Sequence, residues 1–147
     1  MSRWGKFFAL PARDRSQLVG YSLLLPVIQA GLTVFGTRRV HAFLAAHARI
    51  RGAYDGGEEQ MLAEARRTAY LVSAAGRHGL VKATCLRQAL LTWLRRQGIE
   101  SELRIGIQKR NGRIHGHAWV RAAGQVISEG EQVEENFSAF EGYPTGE

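Results

Sequence analysis

Two histidines stand two positions apart in the stretch RIHGHAWVRAAGQVISEGE, His115 and His117, and an acidic residue, Glu129, follows the second by twelve positions. Such a set is open to three uses: holding a metal, packing a strand, or serving a nucleophile elsewhere in the chain. A zinc-type site needs three or four ligands. Cys85 with the two histidines is a thin set that shows neither CxxC nor HExxH spacing, so no metal is expected. Cys85 is the only cysteine, and it opens the segment CLRQALLTWLRRQGIE, where Leu86, Ala89, Leu90, Trp93 and Leu94 recur at helical spacing. A cysteine at a helix start meets unpaired N–H groups and the positive end of the helix dipole, which favour the thiolate and can hold a developing oxyanion. Such a nucleophile needs an imidazole to take its proton, and the imidazole needs an acceptor that fixes its tautomer. Cys85, His117 and Glu129 supply those groups in that order, with Ser128 or Glu131 as alternative acceptors. The plainer reading is a buried, inert cysteine and a hydrogen-bonded strand histidine, and residue types alone leave both open.

The elements that would carry these residues are legible from periodicity. Residues 18–36, LVGYSLLLPVIQAGLTVFG, hold no charge, and Pro26, three glycines, Ser22, Gln29 and Thr33 lower their hydrophobicity. A buried or interfacial helix kinked at Pro26 is expected there rather than a membrane span. HAFLAAHARI follows as a second helical stretch, with Val40, Phe43, Leu44 and His47 at helical spacing. GAYDGGEEQ reads as a loop in which Glu58 and Glu59 suit a helix start, and the helix after it buries Leu62, Ala65, Ala69, Leu71 and Val72 and ends near Gly76, with His78 as a C-terminal cap. Gly98 terminates the Cys85 helix. ELRIGIQ then alternates, Asn111-Gly112 is a hairpin turn, IHGHAWV alternates again, and a reversal at Ala123 and Gly124 leads into a third strand. On the second strand Ile114, Gly116, Ala118 and Val120 share one face, and His115, His117 and Trp119 the other. The expected class is α+β with an antiparallel sheet.

Composition bounds the rest. The 147 residues, 45% hydrophobic and 22% charged, suit one globular unit. Its parts are a helical N-terminal region, 1–55, and an α+β core, 56–147. A single cysteine excludes an intramolecular disulfide, and MSRWGKFFALPARDRSQ lacks a signal-peptide layout, so a reducing cytoplasm is the expected location. The net charge of +7 comes from arginines spread in pairs along the chain. That pattern fits solvated helix faces better than nucleic-acid binding, and no membrane contact is expected.

CLRQALLTWLRRQGIESELRIGIQ, followed by GHAWV and GQVISE, resembles the lasso-peptide biosynthesis leader peptidases known as B2 proteins. The resemblance is close over about residues 60–130 and extends to the apolar helical N-terminal third. It implies a transglutaminase-like, papain-like cysteine-protease fold in which a cysteine opens a helix, a histidine stands in an HAWVE-like strand and a later acid completes the triad; the matching positions are Cys85, His117 and Glu129. CLRQA replaces the usual CLPRS, and Arg121 follows HAWV where an acid is common. Both departures bear on substrate detail.

The family activity implied is hydrolysis of a ribosomally made precursor peptide at the end of its leader. It would proceed without metal or organic cofactor, with a small leader-recognition protein (B1-type) as partner and an ATP-dependent lasso cyclase acting next. His115 and Trp119 share the His117 face and are candidates for lining a substrate cleft. Gln88, one turn into the Cys85 helix, is a candidate oxyanion contact, although exposure or packing explains each of the three as well. Two other functions compete: a non-catalytic basic binding module, and acyl transfer to an amine on the same fold.

Overall fold

The computed structural model of the chain describes residues 3–47, 52–77, 81–128 and 135–139. Five helices precede the sheet: α1 (Arg3–Phe8), α2 (Ala12–Phe35), α3 (Thr37–His47), α4 (Glu58–Gly76) and α5 (Ala83–Arg96). The strands are β1 (Ser101–Arg110), β2 (Arg113–Ala122), β3 (Gln125–Val126) and β4 (Ser138–Ala139), in the order β3-β2-β1-β4, and every pairing is antiparallel.

The helices pack in two layers against the sheet. Tyr21, Leu25 and Ile28 of α2 and Val40 of α3 are buried against Leu71, Val72 and Ala75 of α4 and Cys85 and Ala89 of α5. On the opposite side of α4 and α5, Leu62, Ala65, Ala69, Leu90 and Leu94 are buried with Ile99, Val120, Ala122 and Ile127, and Leu103 packs against them. Helix α5 therefore has two buried faces: Cys85 and Ala89, four apart, meet α2, while Leu90 and Leu94, also four apart, meet the sheet. A charged cluster ties α2 to α4 alongside the first core. Arg67 bonds Asp14, Gln17 and Glu64, and Arg13 reaches Glu64 at 2.8 Å. Helix α2 runs unbroken through Pro26, which lies on its exposed side.

Turn chemistry fixes the register. Asn111 and Gly112 have φ of 52° and 75°, the conformation that joins two strands with the right twist. The ladder they start pairs His117 with Gly106 and Trp119 with Arg104. Ala123 and Gly124, again at positive φ, return the chain into β3. Strand β4 has no alternating pattern to announce it, because its two residues join the sheet only through backbone pairing with Gly106 and Ile107. On α3 the expected stripe is narrower than its spacing: Val40 is buried and Leu44 half-buried, but Phe43 is exposed and stacks on His47 at 4.2 Å. His78 lies outside the described residues.

The end of α5 is closed by Gly98 at φ +78°, with Ile99 N–H donating to Leu94 O at 2.9 Å. Tyr54 N–H donates to Gly98 O at 3.1 Å, so the loop before α4 docks on this turn. A Cβ on residue 98 would stand 2.1 Å from Gly52 O and 2.9 Å from Tyr54 N. Gly98→Ala is therefore expected to cost about 2 kcal/mol or more through positive φ and backbone collision together, read as a lowered midpoint in urea unfolding.

Candidate active site

Cys85 is the third residue of α5, after Lys82, which takes the extended N-cap conformation. The Lys82 N–H donates to Gln29 Oε1 of α2 at 3.0 Å. The first turn of α5 is thus held against α2, and Cys85 is 0% exposed. Its thiol donates to the Leu25 carbonyl at 3.3 Å. Burial pushes the Cys85 pKa up to about 11. The expected depression is not found, for a physical reason. A helix N-terminus contributes about 0.3–1 kcal/mol to an adjacent anion, less than one pKa unit, and withdrawing the thiolate from water into apolar side chains outweighs it.

Gln88, one turn further on, is also buried. His41 Nδ1 lies 2.9 Å from Gln88 Oε1, and because an amide oxygen only accepts, that nitrogen carries the ring proton. The Gln88 side chain thereby joins α5 to α3. His41 is a polar partner that sequence reasoning passes over, since a histidine beside Val40 in an amphipathic helix carries no signal that a buried amide waits for it.

His117 sits mid-way along β2, half-buried, directly across from Gly106. Its ring faces Phe137 at 5.2 Å and Trp119 at 6.5 Å between centroids. Trp119 is buried and packs over Gly106, where a Cβ would come within 2.8 Å of the indole and 3.0 Å of Phe137 Cβ. It thus fills the space above Gly106 on the histidine face. His115 is exposed and lies opposite Gln108, closer to the hairpin turn. Glu129 and Glu131 lie outside the described residues. Ser128, the other alternative acceptor, receives the Val120 N–H on its Oγ at 3.0 Å. Among the described residues, no group of three or more His, Cys, Asp and Glu side chains is placed to hold a metal ion.

The candidates divide between two layers. Cys85 and Gln88 are buried in the helical layers, Cys85 against α2 and Gln88 bonded to α3. His117, Trp119 and Phe137 form an aromatic cluster on the face of the sheet opposite Val120 and Ala122, the residues that meet α4 and α5. The Cys85 thiol bonds Leu25 O on the α5 face that meets α2, and the His117 imidazole lies on the sheet face turned away from Val120 and Ala122; the two are not hydrogen-bonded to each other. What this arrangement does chemically is to keep the thiol protonated and dry.

Three outcomes are expected. Iodoacetamide should alkylate Cys85 in the native chain about 100-fold or more slower than in the urea-unfolded chain, because the raised pKa alone lowers the thiolate fraction by that factor near neutral pH. The sign for stability follows. The unfolded thiol ionises first as pH rises, so the stability gained by keeping Cys85 neutral is whole below the ordinary thiol pKa and is lost as pH climbs through about 11. Cys85→Ala should flatten that alkaline limb of urea midpoint against pH. Gly106→Ala should lower stability by about 1–3 kcal/mol by forcing Trp119 off its seat, measured as a fall in unfolding midpoint with altered near-UV dichroism.

A family model described as the transglutaminase-like superfamily matches residues 29–141. No curated protein and no solved structure matches the chain.

Proposed function

The chain belongs to the transglutaminase-like superfamily, whose members are typically cysteine-dependent peptidases or acyltransferases; from that premise we propose that it is a cysteine peptidase that removes the leader from a ribosomally made lasso-peptide precursor. The observation that carries the reading is that the family match spans 29–141 and contains a single cysteine, Cys85, at the start of a helix, followed by His117 in a strand and by Glu129. A cysteine-dependent reaction in this chain has no other nucleophile to use.

In this reading His117 takes the Cys85 proton, and the thiolate attacks the carbonyl that ends the leader. The N–H groups of the first turn of α5 receive the oxyanion. His117 then protonates the leaving amine of the core peptide, and a water that gives its proton to His117 splits the thioester, returning the thiol and a leader carboxylate. Glu129 orients the imidazole. The chemistry calls for no metal or organic cofactor. A leader-recognition protein presents the precursor, and the freed amine passes to a lasso cyclase, all within the cytoplasm.

Because Cys85 is buried beneath α2 with its thiol on Leu25 O and not on His117, this conformation is a closed one in that reading. Turnover requires the Leu25 bond to break and the first turn of α5 to be exposed toward the histidine. The same burial favours a second reading, in which Cys85 is an inert core residue and the chain is a non-catalytic basic binding module.

Cys85→Ala and His117→Ala should each abolish leader removal, the latter by about 10²–10⁴-fold, with unchanged far-UV dichroism. Glu129→Ala should slow it less. Full cleavage by Cys85→Ala with its partners present rules the peptidase out. Adding leader-recognition protein and precursor should also speed Cys85 alkylation, whereas a binding module leaves it at the native rate. Mass analysis separates hydrolysis, which yields a leader acid, from acyl transfer, which yields a leader–amine adduct.

A further inference from the structure

The net charge is not spread evenly once sign is followed along the chain. The first 54 residues hold eight basic residues and one acid, hence +7, and the remaining 93 hold twelve of each. The one acid, Asp14, pairs with Arg67 of α4. From residue 15 to 54 the chain contains five arginines and no acid.

That same region carries an uncovered apolar row. On α2, Val19, Leu23, Val27, Ala30 and Val34 follow one another at steps of three and four and face outward, and Leu23, Val27 and Val34 are 71%, 66% and 72% exposed. The row is about 22 Å long at the helical rise, and Phe35 extends it at the C-terminal end, also exposed. A shallow groove lined by Pro26, Gln29, Ala30, Thr33, Val34 and Val81 runs beside it. The hydroxyls on this side are already bonded within the helix, Ser22 to Leu18 O at 2.8 Å and Thr33 to Gln29 O at 2.9 Å. They would enter an apolar medium without losing a partner. Charged side chains stand at the two ends and not along the row: Arg15 lies before it, and Arg38 and Arg39 are exposed just after it.

We propose that this face of α2 is an interfacial anchor that lies flat on an anionic lipid bilayer, with the apolar row in the headgroup–acyl boundary and the flanking arginines on acidic headgroups. The helix is long and apolar enough to cross a membrane, but crossing would strip Tyr21, Leu25 and Ile28 from the core they share with α4 and α5. Lying flat keeps that core intact. From the sequence, a buried or interfacial helix was expected over residues 18–36, without membrane contact. The outward exposure of the row, together with the arginines at its two ends, supports the bilayer surface as its partner.

The test is co-sedimentation of the full chain with vesicles of phosphatidylcholine alone and with vesicles that also contain phosphatidylglycerol. The chain should partition onto the anionic vesicles, less so at high salt, and scarcely onto the neutral ones. Leu23→Glu/Val27→Glu and, separately, Arg38→Glu/Arg39→Glu should each lower partitioning by about tenfold or more. Both pairs are exposed, and an unchanged unfolding midpoint checks that the fold persists. Absence of the wild-type chain from the anionic pellet overturns the proposal, as does equal partitioning of the Leu23/Val27 variant. Resistance of the bound chain to alkaline extraction would mean a span and overturns it too. So would a wild-type dimer that the Leu23/Val27 variant dissolves without any vesicle binding, since a second copy would then own the face.

Discussion

The contact between α2 and the first turn of α5 governs the rest of the molecule. Two hydrogen bonds make it directional: Lys82 N–H to Gln29 Oε1, and the Cys85 thiol to Leu25 O. Around them Tyr21, Leu25 and Ile28 close over Cys85 and Ala89, and Tyr21 meets Trp93 edge to face at 4.8 Å. The contact satisfies an N-cap N–H that would otherwise need water. It also sets the state of the thiol, since a sulfur enclosed by apolar side chains and bonded to a carbonyl is held in its protonated form.

Because α5 is buried on two faces, this contact also sets the layering. One face serves α2 and the other serves the sheet, so β1 and β2 dock on Leu90 and Leu94 with Val120 and Ala122 turned inward. Strand alternation then sends His117 and Trp119 to the far side, where Phe137 joins them and the absence of a side chain at Gly106 makes room for the indole. The hairpin and the helix are each well specified, yet the chemistry proposed for them depends on how α2 sits. Its inner face closes the thiol, and its outer face presents the apolar row.

Much of the architecture was readable from residue order. The α4 and α5 stripes, the Gly98 terminator, the Asn111-Gly112 turn, the reversal at Ala123 and Gly124 and the two faces of β2 all follow from local rules, because hydrophobic period and positive-φ turns act within a few residues. Membership of the transglutaminase-like superfamily was reached differently, through the resemblance carried by CLRQALLTWLRRQGIESELRIGIQ, GHAWV and GQVISE, and not from period or turn chemistry. Strand β4 was not legible, since a two-residue strand pairs by backbone alone. Nor was the His41–Gln88 bond, which joins residues 47 positions apart with nothing in either neighbourhood to announce the other.

The site shows where local reading ends. Residue types and spacing named Cys85, His117 and Glu129, and the helix start argued for an activated thiolate. The packed chain instead buries Cys85 and raises its pKa, because the desolvation imposed by α2 exceeds what one helix terminus supplies. The sequence by itself determined the elements, their turns and the place of the single cysteine at a helix start, all of which depend on local periodicity and composition. Only the tertiary structure decided which face of α2 is buried, on which side of α5 the thiol lies and that the apolar row on the other face of α2 is left open. Those outcomes depend on which surfaces exclude water from one another across the chain, and no window of neighbouring residues contains that information.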